Sequence, residues 1–506
     1  MKRIFTCTRV ICLLLTSASF AVADGASEFA LRAGVAKVDI SRVESPPSGN
    51  TLHAKALVLN SNDTTVVVVT VDAVAIDEIG SIHAPYLANV RAALKKELNI
   101  EPKNVLINAS HCHGQVCVDV EARTIQAVRE AARNLVPVRV GVGVGHEDRI
   151  MENRRLLLKN GREADVRHAY SLPPDEEVAG IGPNDPEIGI LRLDKLNGDT
   201  VAFVYNFAVH PIQGTPGRGG DTADIVGFAS KVIEDNLSEG AVALFLQGCG
   251  GDINPVQYKD VNNPRDAEPL GNLLGLSALR GSRKIHCREN TILRMVNETI
   301  GLPRADMEKR IEEMMDEEEL LLKSLVGTSL NLKSFLPLFL KYRVSGEYPS
   351  YYSHRYLHDK SIGRDDLEKL DAANRNSMES YIRNIHVMEK LTVLRTNLRL
   401  LEKHQTRNSE AGMKPILVEV VGLRVGDFRL ITFPGELTVQ IGLNLKKKSP
   451  YDMTFVAGYS NGYIYYSPTA EQLKNRGGAQ EDSDCLLAPE WQAMFEQKAF
   501  EILKGL

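Results

Sequence analysis

The chain has little of what holds a small secreted scaffold together: its 506 residues include only 7 cysteines and 1 tryptophan. Cys7 and Cys12 fall in a leader-like segment, leaving Cys112, Cys117, Cys249, Cys287 and Cys485. Five thiols are too few, and odd in number, for a disulfide framework. Positive charge is not in excess either, since 60 Lys and Arg stand against 65 Asp and Glu for a formal net charge of -5. A nucleic-acid partner, which needs a basic footprint, is therefore not expected. No transmembrane segment is expected in the mature chain, and there are no internal repeats or low-complexity tracts. A chain of this length can bury a large core without covalent staples.

The N-terminus reads as a targeting segment. Lys2, Arg3 and Arg9 precede an apolar run from Val10 to Leu15, and Ala21-Val22-Ala23 has the small-x-small form of a signal-peptidase site. Residues 1–23 are expected to be a signal peptide cleaved near Ala23, giving an exported protein, secreted or periplasmic. Its loss removes three positive charges and no negative ones, so the net charge moves from -5 to -8.

Beyond the leader, apolar β-branched runs alternate with amphipathic stretches, which predicts an α/β fold. Thr64–Asp72 (TTVVVVTVD) has the near-continuous valine run of a strand buried on both faces. Strands are also expected at Asn104–Ala109, Arg139–Val144, Val201–Phe207, Ala241–Leu246, Ile416–Val425, Phe428–Phe433 and Met453–Tyr459. Helices are expected at Ala84–Leu98, Ala122–Asn134 and Pro489–Leu503. Residues 257–412 break the rhythm and read as a mostly helical insertion within a domain spanning 24–506. Within it, 334–356 is rich in Tyr, Leu and Phe. Helical packing is its first reading; an apolar substrate mouth or lipid contact is the other.

Polar residues gather where the apolar strands end. His111-Cys112-His113 follows NVLINAS, His210 follows VAFVYNFAV, and Asp252 with Asn254 follows ALFLQGCGG. Glu436 follows FRLITFPG, and Tyr463 to Tyr466 follow TFVAGYSNG. Open α/β sheets bind ligands beyond the carboxyl ends of their strands, where distant loops converge. Each motif is weak alone: a lone His-x-His is often only a polar strand end, and Glu436 also suits a helix start. Together they suit a zinc site, since imidazole and carboxylate are ordinary zinc ligands. Cys112, between the histidines, points to the opposite face of an extended backbone and reads as packing. Cys249 has no matched His partner that would make it a nucleophile.

The segments ASHCHG, YNFAVHP, GGDINP, FPGELT and SNGYIYY occur in an order that resembles the neutral/alkaline, non-lysosomal ceramidases. RAGVAKVDIS and LHAKALVL resemble the opening of that catalytic domain. The resemblance implies a large α/β domain of stacked mixed sheets flanked by helices, and a zinc amidase that cleaves N-acylsphingosines. It implies one Zn2+ per chain, held by His111, His210, Glu436 and Tyr466. It places His113, Arg154 and Tyr463 beside the metal, where they contact the substrate or stabilise its oxyanion. Two departures bear on the substrate. Where ceramidases have Gly-Asp-x-Ser-Pro, this chain has Gly251-Asp252-Ile253-Asn254-Pro255; Asn254 is no hydroxyl nucleophile but can donate a hydrogen bond to an oxyanion. No immunoglobulin-like C-terminal domain, such as those enzymes carry, is expected after the catalytic domain. The expected partner is an N-acyl amide or lipid-like substrate. Two alternatives stay open: a non-catalytic metal-binding relative, and an esterase or amidase for small polar substrates.

Overall fold

The computed structural model describes residues 31–42, 50–62, 64–165, 172–214, 222–256, 258, 265–474 and 479–506. The leader expected at 1–23 lies outside the described residues. The fold is a mixed α/β arrangement built on two sheets. Eight strands form the larger one, in the order Val242–Gln247, Thr200–Phe207, Glu187–Lys195, Val136–His146, Arg32–Asp39, His53–Ser61, Thr64–Val71 and Val105–Ala109. Its two outer pairs, Thr200–Phe207 with Val242–Gln247 and Thr64–Val71 with Val105–Ala109, are parallel; the pairs between them are antiparallel. Leu293–Leu302, Ile416–Val425, Phe428–Thr432 and Thr454–Ala457 form the second sheet.

The sheets stack, and the valine run shows how. Val66 and Val68 join Leu106, Leu423, Phe428, Leu430 and Phe455 in the core between them. Val67, Val69 and Val71 point the other way, into a core shared with Val90 and Leu94 of the helix Tyr86–Leu98 and with Ala127 and Val128 of the helix Val120–Arg133. Successive side chains alternate between faces, so burial on both explains why Val66–Val69 is unbroken by a polar residue and why Thr70, which follows, is buried as well. Each fully buried valine contributes roughly 1.5 kcal/mol or more from desolvation. Phe428 and Phe455 stack between the sheets at 4.9 Å.

Residues 257–412 contain the helices Glu268–Ser282, Glu308–Lys323, Leu332–Val344, Ser353–Ser361 and the 45-residue Asp366–Glu410. The same interval holds the strand Leu293–Leu302, which pairs with Ile416–Val425 over its full length. Its polar Asn297, Glu298 and Thr299 hide the alternation expected of a strand.

Candidate metal centre

The ends of four distant segments meet at one buried point. His111 lies just past the strand Val105–Ala109, in a left-handed conformation with φ of 65° that a β-carbon disfavours. Two contacts hold it there: its backbone N–H donates to the Ala73 carbonyl at 2.9 Å, and its ring Nδ1–H donates to the Val74 carbonyl at 2.7 Å. His210 follows the strand Thr200–Phe207. Its backbone N–H and its Nδ1–H both donate to the Ile253 carbonyl, at 2.9 and 3.2 Å. With each Nδ1 spent on a carbonyl, both Nε2 atoms carry the free lone pair.

Both lone pairs face one carboxylate. Glu436 Oε2 lies 3.6 Å from His111 Nε2 and 3.2 Å from His210 Nε2. Glu436 begins a two-residue strand that pairs in parallel with Tyr466–Ser467, and its backbone N–H donates to the Tyr465 carbonyl at 2.9 Å. Gly251 closes the other side: a Cβ there would sit 2.6 Å from the Glu436 carbonyl oxygen and 2.8 Å from that of Leu437. Only a residue without a side chain lets these backbones approach so closely.

Burial and charge set the protonation states. Desolvation dominates at His111 and lowers its pKa to about 4, although Glu436 pulls the other way. Burial pushes the Glu436 carboxyl up, but His111, His210 and the Tyr463 hydroxyl outweigh it and leave the group well below the usual carboxylate range. The result near neutral pH is a neutral His111 imidazole facing an ionised carboxylate in a buried site. The ligand atoms of His111, His210 and Glu436 lie within 4.8 Å of one another. Zinc–ligand bonds of about 2.0–2.2 Å place tetrahedral donors about 3.3–3.6 Å apart, a spacing close to both observed Glu–His distances. The residues fit a divalent metal.

The tyrosines divide their work. Tyr459 donates to Glu436 Oε2 at 3.1 Å, and its ring lies 4.3 Å from that of His111. Tyr463 donates to Glu436 Oε1. Burial, then the Glu436 charge, holds both phenols protonated far above their ordinary range. Tyr466, opposite Glu436 in the strand pair, accepts a hydrogen bond from Arg154 Nη2 at 3.2 Å. Buried Arg154 also donates through Nε to Glu481, through Nη2 to the Gly251 carbonyl and through Nη1 to Asn254 Oδ1 at 3.2 Å. Desolvation opposes its charge, and Glu481 more than restores it.

Asn254 is 1% exposed, and its Nδ2 finds no partner among the described residues. With Oδ1 turned to the Arg154 cation, the amide orientation is fixed chemically: Nδ2 is a spare donor, one residue from the Ile253 carbonyl that anchors His210. His113 stands at the rim. Its ring is exposed, 5.4 Å from that of His111 and nearly perpendicular to it. Crowding by protein atoms, with His111 adjacent, pulls its pKa down to about 4. Cys112 and Cys249 are buried, and desolvation pushes both thiols up, so neither is a thiolate.

The structure thus gathers His111, His113, His210, Glu436, Tyr463, Tyr466, Arg154 and Asn254 in one region. Two contributors escaped the sequence reading. Tyr459 sits in GYSNG at the end of the strand Thr454–Ala457, where the strand-end rule extends to it. Glu481 lies in a short turn, Gln480–Asp482, with no pattern to mark it.

No protein-family model matches the sequence. Among solved structures, the neutral ceramidase of Pseudomonas aeruginosa superposes with a TM-score of 0.57 at 17% identity, over 95% of this chain and 75% of that one. A ceramidase complexed with C2 superposes with a TM-score of 0.58 at 16% identity, over 94% and 75%. The fold class is therefore that of a mixed α/β protein with stacked sheets. More narrowly, the chain shares the neutral ceramidase fold over nearly its whole length.

Proposed function

We propose that the protein is a zinc-dependent amidase that cleaves the amide bond of an N-acyl compound of the ceramide type, and that it is exported. One observation carries this reading: two buried imidazoles with Nδ1 anchored on carbonyls turn their Nε2 lone pairs toward a single ionised carboxylate. His111, His210 and Glu436 would hold the ion, with a phenol oxygen from Tyr466 as the expected fourth donor. A zinc ion in such a site supplies Lewis acidity, lowering the pKa of water and polarising an acyl oxygen.

The chain's own groups do the rest. Asn254 Nδ2 donates to the acyl oxygen as negative charge develops there, held in place by Arg154 on its Oδ1. Tyr459 and Tyr463 keep Glu436 oriented and ionised. His113, the exposed imidazole of the set and unprotonated near neutral pH, would take a proton from the attacking water and pass it to the leaving nitrogen. No serine is required, in keeping with Asn254 at the position where ceramidases have one.

The test compares purified protein on ceramide, N-acyl amino acids and simple esters, with and without a chelator. Amide hydrolysis lost on chelation, restored by zinc and absent in His111→Ala supports the proposal. Undiminished hydrolysis by folded, metal-free protein refutes it. Metal binding with no turnover on any substrate favours the non-catalytic alternative.

A further inference from the structure

The helix Leu332–Val344 rests one face on the long helix Asp366–Glu410 and leaves the opposite face bare. Phe335 stacks on Tyr381 at 4.5 Å, and the Tyr342 hydroxyl donates to Asp371 at 2.6 Å, so the helix is firmly seated. Facing away, Leu332 is 64% exposed, Leu336 51%, Leu340 54% and Val344 87%. These four recur every fourth residue and form one apolar stripe. Tyr351 and Tyr352, just beyond the helix, are also exposed.

Charge distinguishes this stripe from other exposed apolar residues of the insertion. Residues 332–364 hold six Lys or Arg and two Asp or Glu, in a chain whose net charge is -5. Within the helix itself Lys333, Lys341 and Arg343 are exposed, and there is no acidic residue. The neighbouring helix Glu308–Lys323 also exposes leucines, but among seven acidic side chains. An apolar stripe on a helix whose only charged residues are cations, with exposed tyrosines further along the chain, matches the chemistry of an anionic bilayer surface.

We propose that the exposed face of Leu332–Val344, with Tyr351 and Tyr352, docks the protein on an anionic lipid surface. The leucines enter the interface while Lys333, Lys341 and Arg343 meet the headgroups. The packing of Phe335 and Tyr342 against the long helix means that docking requires no rearrangement. That helix reaches back to the metal centre's neighbourhood, where His404 pairs with Asp484 at 2.6 Å. From Met378, beside the docking helix, to His404 the rise is about 40 Å. The docking face and the metal centre thus lie toward different ends of one long helix.

Flotation of the full mature chain with phosphatidylcholine vesicles, with and without equimolar phosphatidylglycerol, tests this. Neither vesicle contains an N-acyl lipid, so the result is independent of the amidase reading. Binding is expected only with phosphatidylglycerol present. Lys341→Gln and Arg343→Gln should each weaken it about fivefold. The pair Leu336→Ser with Leu340→Ser should abolish it with the melting temperature unchanged. Failure to float with anionic vesicles overturns the proposal, as does binding that these variants leave intact. A dimer that the leucine pair disrupts, without vesicle binding, overturns it in favour of a second copy of the chain.

Discussion

Replacing Asn254 by Ala separates folding from chemistry at the proposed site. The change removes Oδ1, which accepts from Arg154, and Nδ2, which has no partner among the described residues. Losing one charge-assisted hydrogen bond costs about 1.5–3 kcal/mol, while no longer burying an unsatisfied donor recovers about 1–3 kcal/mol. Arg154 keeps Glu481, the Gly251 carbonyl and the Tyr466 hydroxyl. The two effects nearly cancel, so stability should change by no more than about 1 kcal/mol, a melting shift of at most a few degrees. Activity should not be spared. A donor aimed at a developing oxyanion is worth about 10²–10³ in turnover. The assay is release of free amine from a short-chain N-acyl substrate, alongside calorimetry and metal content. Asn254→Asp is the companion variant: it keeps an acceptor for Arg154, lacks the donor, and should lose as much activity without loss of stability. If either variant stays within threefold of the parent kcat/KM while retaining its metal, the role assigned to Nδ2 is wrong.

Tyr463→Phe strips Glu436 of one donor, and Tyr459→Phe strips it of the other; each should weaken zinc binding about tenfold in a chelator competition, and unchanged affinity would show that the phenols do not tune the carboxylate. Metal-stripped protein should lose stability on acidification, because His111 takes up its proton at about 4 when folded but near 6.5 when unfolded. The unfolded chain therefore binds more protons between those values, and unfolding free energy should fall by about 3 kcal/mol from pH 6.5 to pH 4, read by denaturant melts. The depressed Glu436 carboxyl adds to the loss in the same direction below its ordinary range. Gly251→Ala forces a methyl against the Glu436 and Leu437 carbonyl oxygens, so it should cost about 2–4 kcal/mol and lower zinc occupancy together; a stable, fully loaded variant would contradict that packing.

Much of this arrangement was legible because strand ends carry their chemistry in plain view. Thr64–Asp72 and Asn104–Ala109 match the observed parallel pair to within a residue, and the next polar residue after the second is Ser110, beside His111. The same rule led to His210 and Glu436. What escaped was short or non-periodic. Met151–Asn153 and Ile253–Pro255, whose pairing sets Arg154 beside Asn254, are three residues each and show no period. Leu293–Leu302 is a strand only because its partner Ile416–Val425 covers it. Among four tyrosines within eight residues, sequence order does not reveal which hydroxyl reaches the carboxylate: Tyr459 and Tyr463 do, while Tyr466 engages Arg154 and Tyr465 bonds Glu78.

The most direct check is the zinc content of the purified mature protein by elemental mass spectrometry, set beside His210→Ala and Glu436→Ala. About one tightly bound zinc in the parent chain, and none in either folded variant, is the expected outcome. A correctly folded parent that takes up no zinc, or variants that hold it as firmly, would mean that His111, His210 and Glu436 do not form a metal site.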